Sequence, residues 1–115
     1  MRLDLNADVG EGIGEDAAIL SVVTSANIAC GGHAGDARSM RQTLQLAAEH
    51  RVAVGAHPSY VDRDGFGRTA QTVAGSLLRH QIAAQLDALA SEAAALRVTI
   101  GHVKPHGALY HAVEQ

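Results

Sequence analysis

Aromatic residues, cysteines and long apolar runs are all scarce in this sequence, and each shortage limits the kind of core, cross-link or location that the protein can have. Only three of the 115 residues are aromatic, so the core must be built from Ala, Val, Leu and Ile, which predicts modest stability. The single cysteine, Cys30, excludes an internal disulfide and is typical of a reducing, cytoplasmic environment. No apolar run approaches the roughly 20 residues that cross a bilayer, and the first residues do not resemble a signal peptide.

The chain also lacks an excess of positive charge. Nine Lys and Arg oppose twelve Asp and Glu, which gives a net charge of −3. Proteins that bind nucleic acid or anionic membranes usually carry a basic surface, so neither partner is predicted. The length predicts one domain, residues 1–115, and is far below the roughly 250 residues of a complete (β/α)₈ barrel.

Short strand patterns alternate with longer helical patterns along the chain. Period-2 or β-branched runs predict strands at 3–9, 26–30, 52–56 and 98–103. Apolar spacing of three to four residues predicts helices at 15–23, 37–50 and 72–96, with another starting at 108–113. Asp36 and Thr72 are predicted to cap the second and third helices. The order βαβαβαβ predicts an α/β fold with parallel strands, either half of a barrel or a small open sheet.

Polar and ionisable residues collect just after each predicted strand. They are Asn6, Asp8 and Glu11 after the first, His33 and Asp36 after the second, His57 and Asp62 after the third, and Lys104 and His106 after the fourth. The carboxyl ends of parallel strands lie on one side of the sheet, where ligands bind. Four separate segments therefore deliver Asp, Glu, His and Lys to one rim, which predicts an enzyme.

Two kinds of site explain these residues. Asp8, His33 and His57 form a reasonable ligand set for a divalent metal, with open positions for water. A metal-free site with Asp8 and Glu11 as acid and base explains the same residues. In either site Lys104 can stabilise an oxyanion or bind a substrate carboxylate.

Ordinary structural roles are the alternatives for these residues. They include a solvated strand face, a turn histidine, a packed core histidine and a surface lysine. Three further histidines, His50, His80 and His111, lie on helical patterns without polar companions and are not predicted to be functional. Cys30 is predicted to be a small buried apolar residue. No Gly-rich phosphate loop of the Walker type is present, so this chain alone is not predicted to bind ATP.

The same four segments resemble the signatures of a known family. The matching segments are LNADVGEG at 5–12, SANIACGGHAGD at 25–36, GAHPSY at 55–60 and VKPHGALY at 103–110, and FGR at 66–68 agrees as well. The family is that of the LamB/YcsF-like proteins, which are 5-oxoprolinase A subunits. The resemblance implies an irregular TIM-like barrel akin to the glycoside hydrolase/deacetylase superfamily.

The resemblance also implies an activity and its partners. The expected reaction is the ring opening of 5-oxo-L-proline to L-glutamate, coupled to ATP hydrolysis, in a cytoplasmic complex with subunits B and C. Carried over to this sequence, the catalytic residues are Asp8, Glu11, Lys104 and His106. The substrate-binding residues are Asn6, His33, His57 and Tyr60, and a metal on Asp8, His33 and His57 is left open.

The length departs from the family pattern, because family members are about twice as long. The expectation is therefore about half a barrel of four strands, an N-terminal portion or a truncated form, whose exposed edges favour self-association. Two other functions stay open: a metal-dependent carbohydrate deacetylase using Asp8, His33 and His57, and a non-catalytic half-barrel assembly piece.

Overall fold

Strands and helices alternate in the structure as the sequence pattern predicts. The computed structural model describes residues 3–113. Its strands are β1 (Asn6–Val9), β2 (Ser25–Ala29), β3 (Ala53–His57) and β4 (Ile100–Val103). Its helices are α1 (Asp16–Leu20), α2 (Ala37–Glu49), α3 (Gly75–Ala95) and α4 (Gly107–Val113).

The four strands form one parallel sheet in the order β1-β2-β3-β4. Each strand pairs with the next strand in sequence, as it does when a helix carries the chain back to the start of a neighbouring strand. The predicted α/β class, with four parallel strands alternating with helices, is confirmed. Among residues 3–113, no helix combines the length and the apolar character that a bilayer crossing requires.

The sheet has one apolar face and one polar face. The apolar face packs against the helices, and the buried core residues are Val9, Leu20, Ala26, Ile28, Cys30, Met40, Leu44, Ala47, Val52, Val54, Ala56, Leu89 and Ala93. Cys30 is buried as predicted, and desolvation raises the pKa of its thiol to about 11. Among residues 3–113 this contiguous core group contains no aromatic side chain, and Tyr60 is buried outside it.

The opposite face carries a polar row that crosses all four strands. Asp8 pairs in register with Asn27, Asn27 with Gly55, and Gly55 with His102. A Cβ atom at Gly55 would overlap the His102 ring, so glycine is required for that ring to lie across β3. Parallel strands are usually covered on both faces, and a polar face of this kind is typical of a barrel interior or a cleft.

Three predicted boundaries are wrong by three residues: the end of the first helix, which lies at Leu20, and the starts of the first strand and the third helix. The first strand begins at Asn6 rather than at residue 3, because its partner β2 begins only at Ser25. The third helix begins at Gly75 with Ala74 as its N-cap and no side-chain cap, so Thr72 does not cap it. The apolar spacing predicts an earlier start for the third helix because it includes Val73. This residue is partly buried, but it lies in the non-helical segment before the helix.

The cap predicted for α2 is confirmed. Asp36 Oδ1 accepts a hydrogen bond from the Ser39 N–H at 2.8 Å, and Ser39 Oγ accepts one from the Asp36 N–H at 2.9 Å. This reciprocal capping box satisfies backbone donors at the helix start that would otherwise lack partners. It fixes where α2 begins, directly after the loop that carries His33.

Candidate functional site

The carboxyl ends of the four strands bring six of the predicted site residues together. Asp8 lies on β1 and Glu11 in the turn after it, where Gly10 and Gly12 both have positive φ angles. His33 follows β2, His57 is the last residue of β3, and Lys104 and His106 follow β4. The parallel topology therefore gathers residues that lie up to 98 positions apart in the sequence.

Four of these residues form a buried group, here named the Glu–His cluster: Glu11, His33, His57 and His106. Their ligand atoms all lie within 4.8 Å of one another. Glu11 Oε2 lies 2.6 Å from His33 Nε2, 3.7 Å from His106 Nδ1 and 4.0 Å from His57 Nε2. The three histidines are between 1% and 6% exposed, so the cluster is shielded from bulk water.

Backbone carbonyls fix the protonation of two of the imidazoles. His57 Nδ1 lies 2.6 Å from the Lys104 carbonyl oxygen, and His106 Nε2 lies 2.8 Å from the Phe66 carbonyl oxygen. A carbonyl oxygen only accepts hydrogen bonds, so each of these nitrogens carries its proton and donates it. In the neutral rings the other nitrogens, His57 Nε2 and His106 Nδ1, are therefore bare, and they face each other at 3.0 Å.

The rings of the cluster are packed closely and in fixed orientations. The His33 and His106 rings are stacked, with centroids 3.7 Å apart and planes 9° apart, and His57 lies nearly perpendicular to both. Gly67 has a φ of 70°, and a Cβ there would come within 2.8 Å of His33 and 2.9 Å of His106. Burial lowers the pKa of His106 below its usual value, which favours the neutral ring.

A cavity of about 560 Å³ opens beside the cluster. Its lining residues are Asp8, His57, Arg68, Lys104, Pro105, His106, Gly107, Ala108, Tyr110 and His111. Asp8 Oδ1 lies 3.4 Å from Lys104 Nζ, and Asp8 Oδ2 lies 3.5 Å from His57 Nε2. The cavity therefore has a carboxylate, an ammonium group and imidazole edges on one wall.

The Asp8 carboxyl is held in its charged form. The contact with the His57 side chain, followed by the hydrogen bond from Asn27 and the charge of Lys104, keeps the pKa of Asp8 well below its usual range. Asn27 Nδ2 donates to Asp8 Oδ1 at 2.9 Å and to Asn6 Oδ1 at 2.6 Å, and His102 Nε2 lies 2.7 Å from Asn27 Oδ1. Asn27 is fully buried and links Asp8 to β4 across the polar row.

Two predicted substrate-binding residues lie apart from the main cavity. Asn6 hydrogen-bonds to Asn27 and Ser25 on the polar face. Tyr60 is buried and lines a smaller neighbouring cavity of about 340 Å³, which also borders Arg68.

The two strand-end aspartates outside the six have local contacts in the structure. Asp36 caps α2. Asp62 accepts hydrogen bonds from the backbone N–H groups of Gly65 and Thr69, which closes the loop after β3.

The residues that the structure brings together differ from the predicted metal ligands Asp8, His33 and His57. His33 and His57 belong to the Glu–His cluster, whereas Asp8 lies at its border, and Glu11 and His106 complete it. His50 and His80 are exposed on or beside helices, away from the cluster.

Three residues near the site were missed by sequence reasoning. His111 and Arg68 line the main cavity; a helical pattern concealed the first, and no spacing signal marked the second. Asn27 did carry a signal, since a polar residue in the middle of a strand covered on both faces is unusual.

Comparison with known proteins agrees with the fold and the motifs. The LamB/YcsF family model matches residues 3–115. The chain belongs to the LamB/YcsF family. The structure is also similar to the crystal structure of a lactam utilization protein from Thermus thermophilus, with a TM-score of 0.92 and 41% sequence identity. That match covers 96% of this chain and 47% of the Thermus chain, so this chain spans about half the length of that relative.

The match confirms the predicted family and the fold expected from it. The four strands of this LamB/YcsF chain correspond to about half of a TIM-like barrel. The polar face of the sheet is then the face that lines the interior of such a barrel, and the strand ends that carry the site form its carboxyl-terminal rim.

Proposed function

We propose that this LamB/YcsF chain provides the ring-opening site of a 5-oxoprolinase A subunit, which converts 5-oxo-L-proline to L-glutamate. The observation that carries the proposal is the cavity that Asp8 and Lys104 line together with His57 and His106 of the Glu–His cluster. A relative with the same fold over this half is a lactam utilization protein, and 5-oxoproline is a lactam.

The cavity offers the groups that hydrolysis of a lactam needs. A water molecule must attack the ring carbon and lose a proton, and the ring nitrogen must gain a proton as the C–N bond breaks. These steps require a group that accepts and returns a proton and a cation near the lactam oxygen. Asp8 is ionised, positions the water and accepts its proton. Lys104 Nζ, beside Asp8, is assigned to neutralise the negative charge at the lactam oxygen, which is phosphorylated in the activated ring.

The charge of the cavity also suits the other end of the substrate. The carboxylate of 5-oxoproline needs a cationic partner, and Arg68 lines the same cavity as Lys104. The guanidinium of Arg68 lies over the Phe66 ring, 5.6 Å from its centroid, which positions it at the cavity wall. Lys104 and Arg68 thus serve opposite ends of one small substrate.

ATP is consumed by the complex in this proposal, with phosphorylation of the lactam oxygen assigned to subunits B and C. Residues 3–113 contain no Gly-rich phosphate loop of the Walker type. The part assigned to this chain is the addition of water to the phosphorylated ring carbon and cleavage of the C–N bond, with the proton of the water passing from Asp8 to the ring nitrogen. A second water then releases phosphate from the resulting acyl phosphate and gives glutamate. Full 5-oxoproline turnover by this chain alone, with ATP, would refute that division of labour.

Substitution of Asp8 tests the proposal. In the complex with subunits B and C, Asp8→Asn is expected to reduce glutamate formation by about 100-fold or more, because the attacking water loses its anionic partner. Asp64→Asn, in the exposed loop after β3, is the matched control and is expected to keep full activity. Wild-type activity of Asp8→Asn would exclude a catalytic role for Asp8.

A metal-dependent carbohydrate deacetylase is the second candidate, and the Glu–His cluster favours it because such a group can hold a metal ion. Deacetylation of N-acetyl sugars without partner subunits, and no turnover of 5-oxoproline with them, would establish this alternative. A stable dimer that turns over neither class of substrate would instead indicate a non-catalytic assembly piece.

A further inference from the structure

Two bare imidazole nitrogens point at each other in the interior of the Glu–His cluster. His57 Nε2 and His106 Nδ1 are 3.0 Å apart, and the proton of each ring is already donated to a backbone carbonyl. Glu11 Oε2, a third acceptor, is directed at the same point. The two bare nitrogens have no donor between them and repel each other, and Glu11 adds a carboxylate beside them, so a cation at this point would stabilise the arrangement.

The spacing of the three acceptors matches the size of a metal site. The distances of 3.0, 3.7 and 4.0 Å define a triangle whose centre lies about 2.1 Å from each corner. Bonds from zinc to imidazole nitrogen and carboxylate oxygen are about 2.0–2.2 Å long. An ion at that centre would therefore be within bonding distance of all three atoms without movement of the backbone.

The two imidazoles are held from behind in the way metal ligands are, and Glu11 is held by a hydrogen bond to the same oxygen that faces them. The Lys104 and Phe66 carbonyls orient His57 and His106, and His33 Nε2 hydrogen-bonds to Glu11 Oε2 at 2.6 Å. Ligating histidines usually donate their second N–H to such a partner, which fixes both the tautomer and the direction of the ring.

We propose that Glu11, His57 and His106 bind one divalent transition-metal ion, with His33 as the residue that positions Glu11. Zinc, manganese, iron and cobalt suit a set of two imidazoles and one carboxylate. His33 is not a fourth ligand, because its ring is stacked parallel to that of His106 and one ion cannot lie in both ring planes. This set differs from the Asp8, His33 and His57 set that the sequence suggests.

The remaining coordination position faces the substrate cavity. His57 and His106 both line that cavity, and Asp8 Oδ2 lies 3.5 Å from His57 Nε2 at its wall. A water bound there would lie against Asp8, and a bound metal lowers the pKa of water towards neutrality. The role in catalysis rests on the proposed function, whereas the binding of the ion does not.

Metal titration of the complete chain tests the site. After removal of metals with a chelator, isothermal titration calorimetry with Zn²⁺ is expected to show one site per chain. His106→Gln and Glu11→Gln are expected to weaken binding by more than about 100-fold, and His33→Gln by about 10–100-fold. His80→Gln, an exposed histidine on α3, is the matched control for adventitious binding and is expected to change nothing.

A second measurement covers the case in which a variant does not fold. Loading the wild-type chain with Co²⁺ is expected to give the visible absorption of a site with mixed nitrogen and oxygen ligands, which a surface ion does not give. Wild-type chain that binds no Zn²⁺, or His106→Gln that binds it as tightly as wild type, would overturn the inference.

The outcomes separate this inference from the proposed function. If the chain binds one metal ion but the complex does not turn over 5-oxoproline, the metal site is supported and the proposed function is wrong. Full turnover by metal-free complex, in the continued presence of chelator, would overturn the catalytic role of the ion and support the proposed function, while absence of Zn²⁺ binding to the wild-type chain would overturn the site itself.

Discussion

Asn27 shows how much a single buried side chain determines at the residue scale. Its amide donates to Asp8 and Asn6, and its carbonyl oxygen lies 2.7 Å from His102 Nε2. These bonds connect β1 and β4 through β2 and keep Asp8 turned towards the cavity. The residue therefore contributes both to the stability of the sheet and to the geometry of the site.

Replacing Asn27 with Ala should expose both contributions. Loss of the amide leaves His102 without its acceptor, and a partner lost from a buried polar group costs about 1–3 kcal/mol. Urea unfolding is expected to show that loss, together with a fall in the activity of the complex. Asn6→Ala, at the exposed end of the same network, is the control with the smaller expected effect. Equal stabilities of the two variants would contradict this account.

Arg68 is the residue from which the proposed substrate specificity follows. If its guanidinium binds the substrate carboxylate, Arg68→Gln should raise the KM for 5-oxoproline by about 10-fold or more, since charged hydrogen bonds contribute about 1.5–3 kcal/mol. The KM for 2-pyrrolidinone, which has no carboxylate, should not change. A parallel rise in both KM values would show that Arg68 acts on the fold of the cavity instead.

At the scale of elements, the start of α2 depends on one carboxylate. The Ser39 backbone hydrogen bond holds the pKa of Asp36 below its usual value, so the folded state binds a proton less readily than the unfolded chain. The stabilisation from this group is therefore complete above about pH 4 and is lost as the pH falls through the lowered pKa.

Two substitutions at Asp36 test the cap: one removes the capping acceptor, and the other keeps an acceptor but removes its charge. Asp36→Ala is expected to lower the melting temperature by a few degrees at pH 7, because the helix loses its capping acceptor. Asp36→Asn retains an acceptor that does not titrate. As the pH is lowered from 5 to 3, the melting temperature of Asp36→Asn should therefore fall less than that of the wild type. A constant difference between the two melting temperatures over this range would contradict the assignment.

At the scale of the whole molecule, the sheet that residues 3–113 form has β1 and β4 as its two outer strands. β1 and β4 each pair on one side only, and large apolar side chains are exposed beside them, with Leu5 50% and Val103 53% exposed. Unpaired edges with exposed apolar residues favour association with another chain. We expect this chain to self-associate in solution.

Sedimentation velocity over a range of concentrations checks this expectation. Wild-type chain should sediment faster as its concentration rises, and Val103→Lys should shift the distribution towards the monomer, since a charge at an edge strand opposes pairing. Gln71→Lys, which adds the same charge in the segment before α3, is the control. If the wild-type chain sediments as a monomer at every concentration, the prediction of a homo-oligomer is wrong.

Local patterns in the sequence were sufficient for the order of strands and helices. Period-2 and helical spacings depend on neighbouring residues alone, and the Asp36 cap depends on a hydrogen bond to a residue three positions away. Parallel pairing then places every strand end at one rim, which is why Asp8, His57 and Lys104 could be expected to meet. The starts of β1 and α3 could not be predicted in this way, because pairing with β2 and packing of Val73 decide them.

The tertiary structure alone decided how the site residues divide their roles. No spacing reveals that the Lys104 and Phe66 carbonyls take the protons of His57 and His106, and those bonds leave two nitrogens bare. Nor does spacing place Glu11, rather than Asp8, among the imidazoles, or Arg68 and His111 on the cavity wall. Sequence patterns specify which residues reach the rim, whereas ring orientation and loop path depend on contacts between segments far apart in the chain.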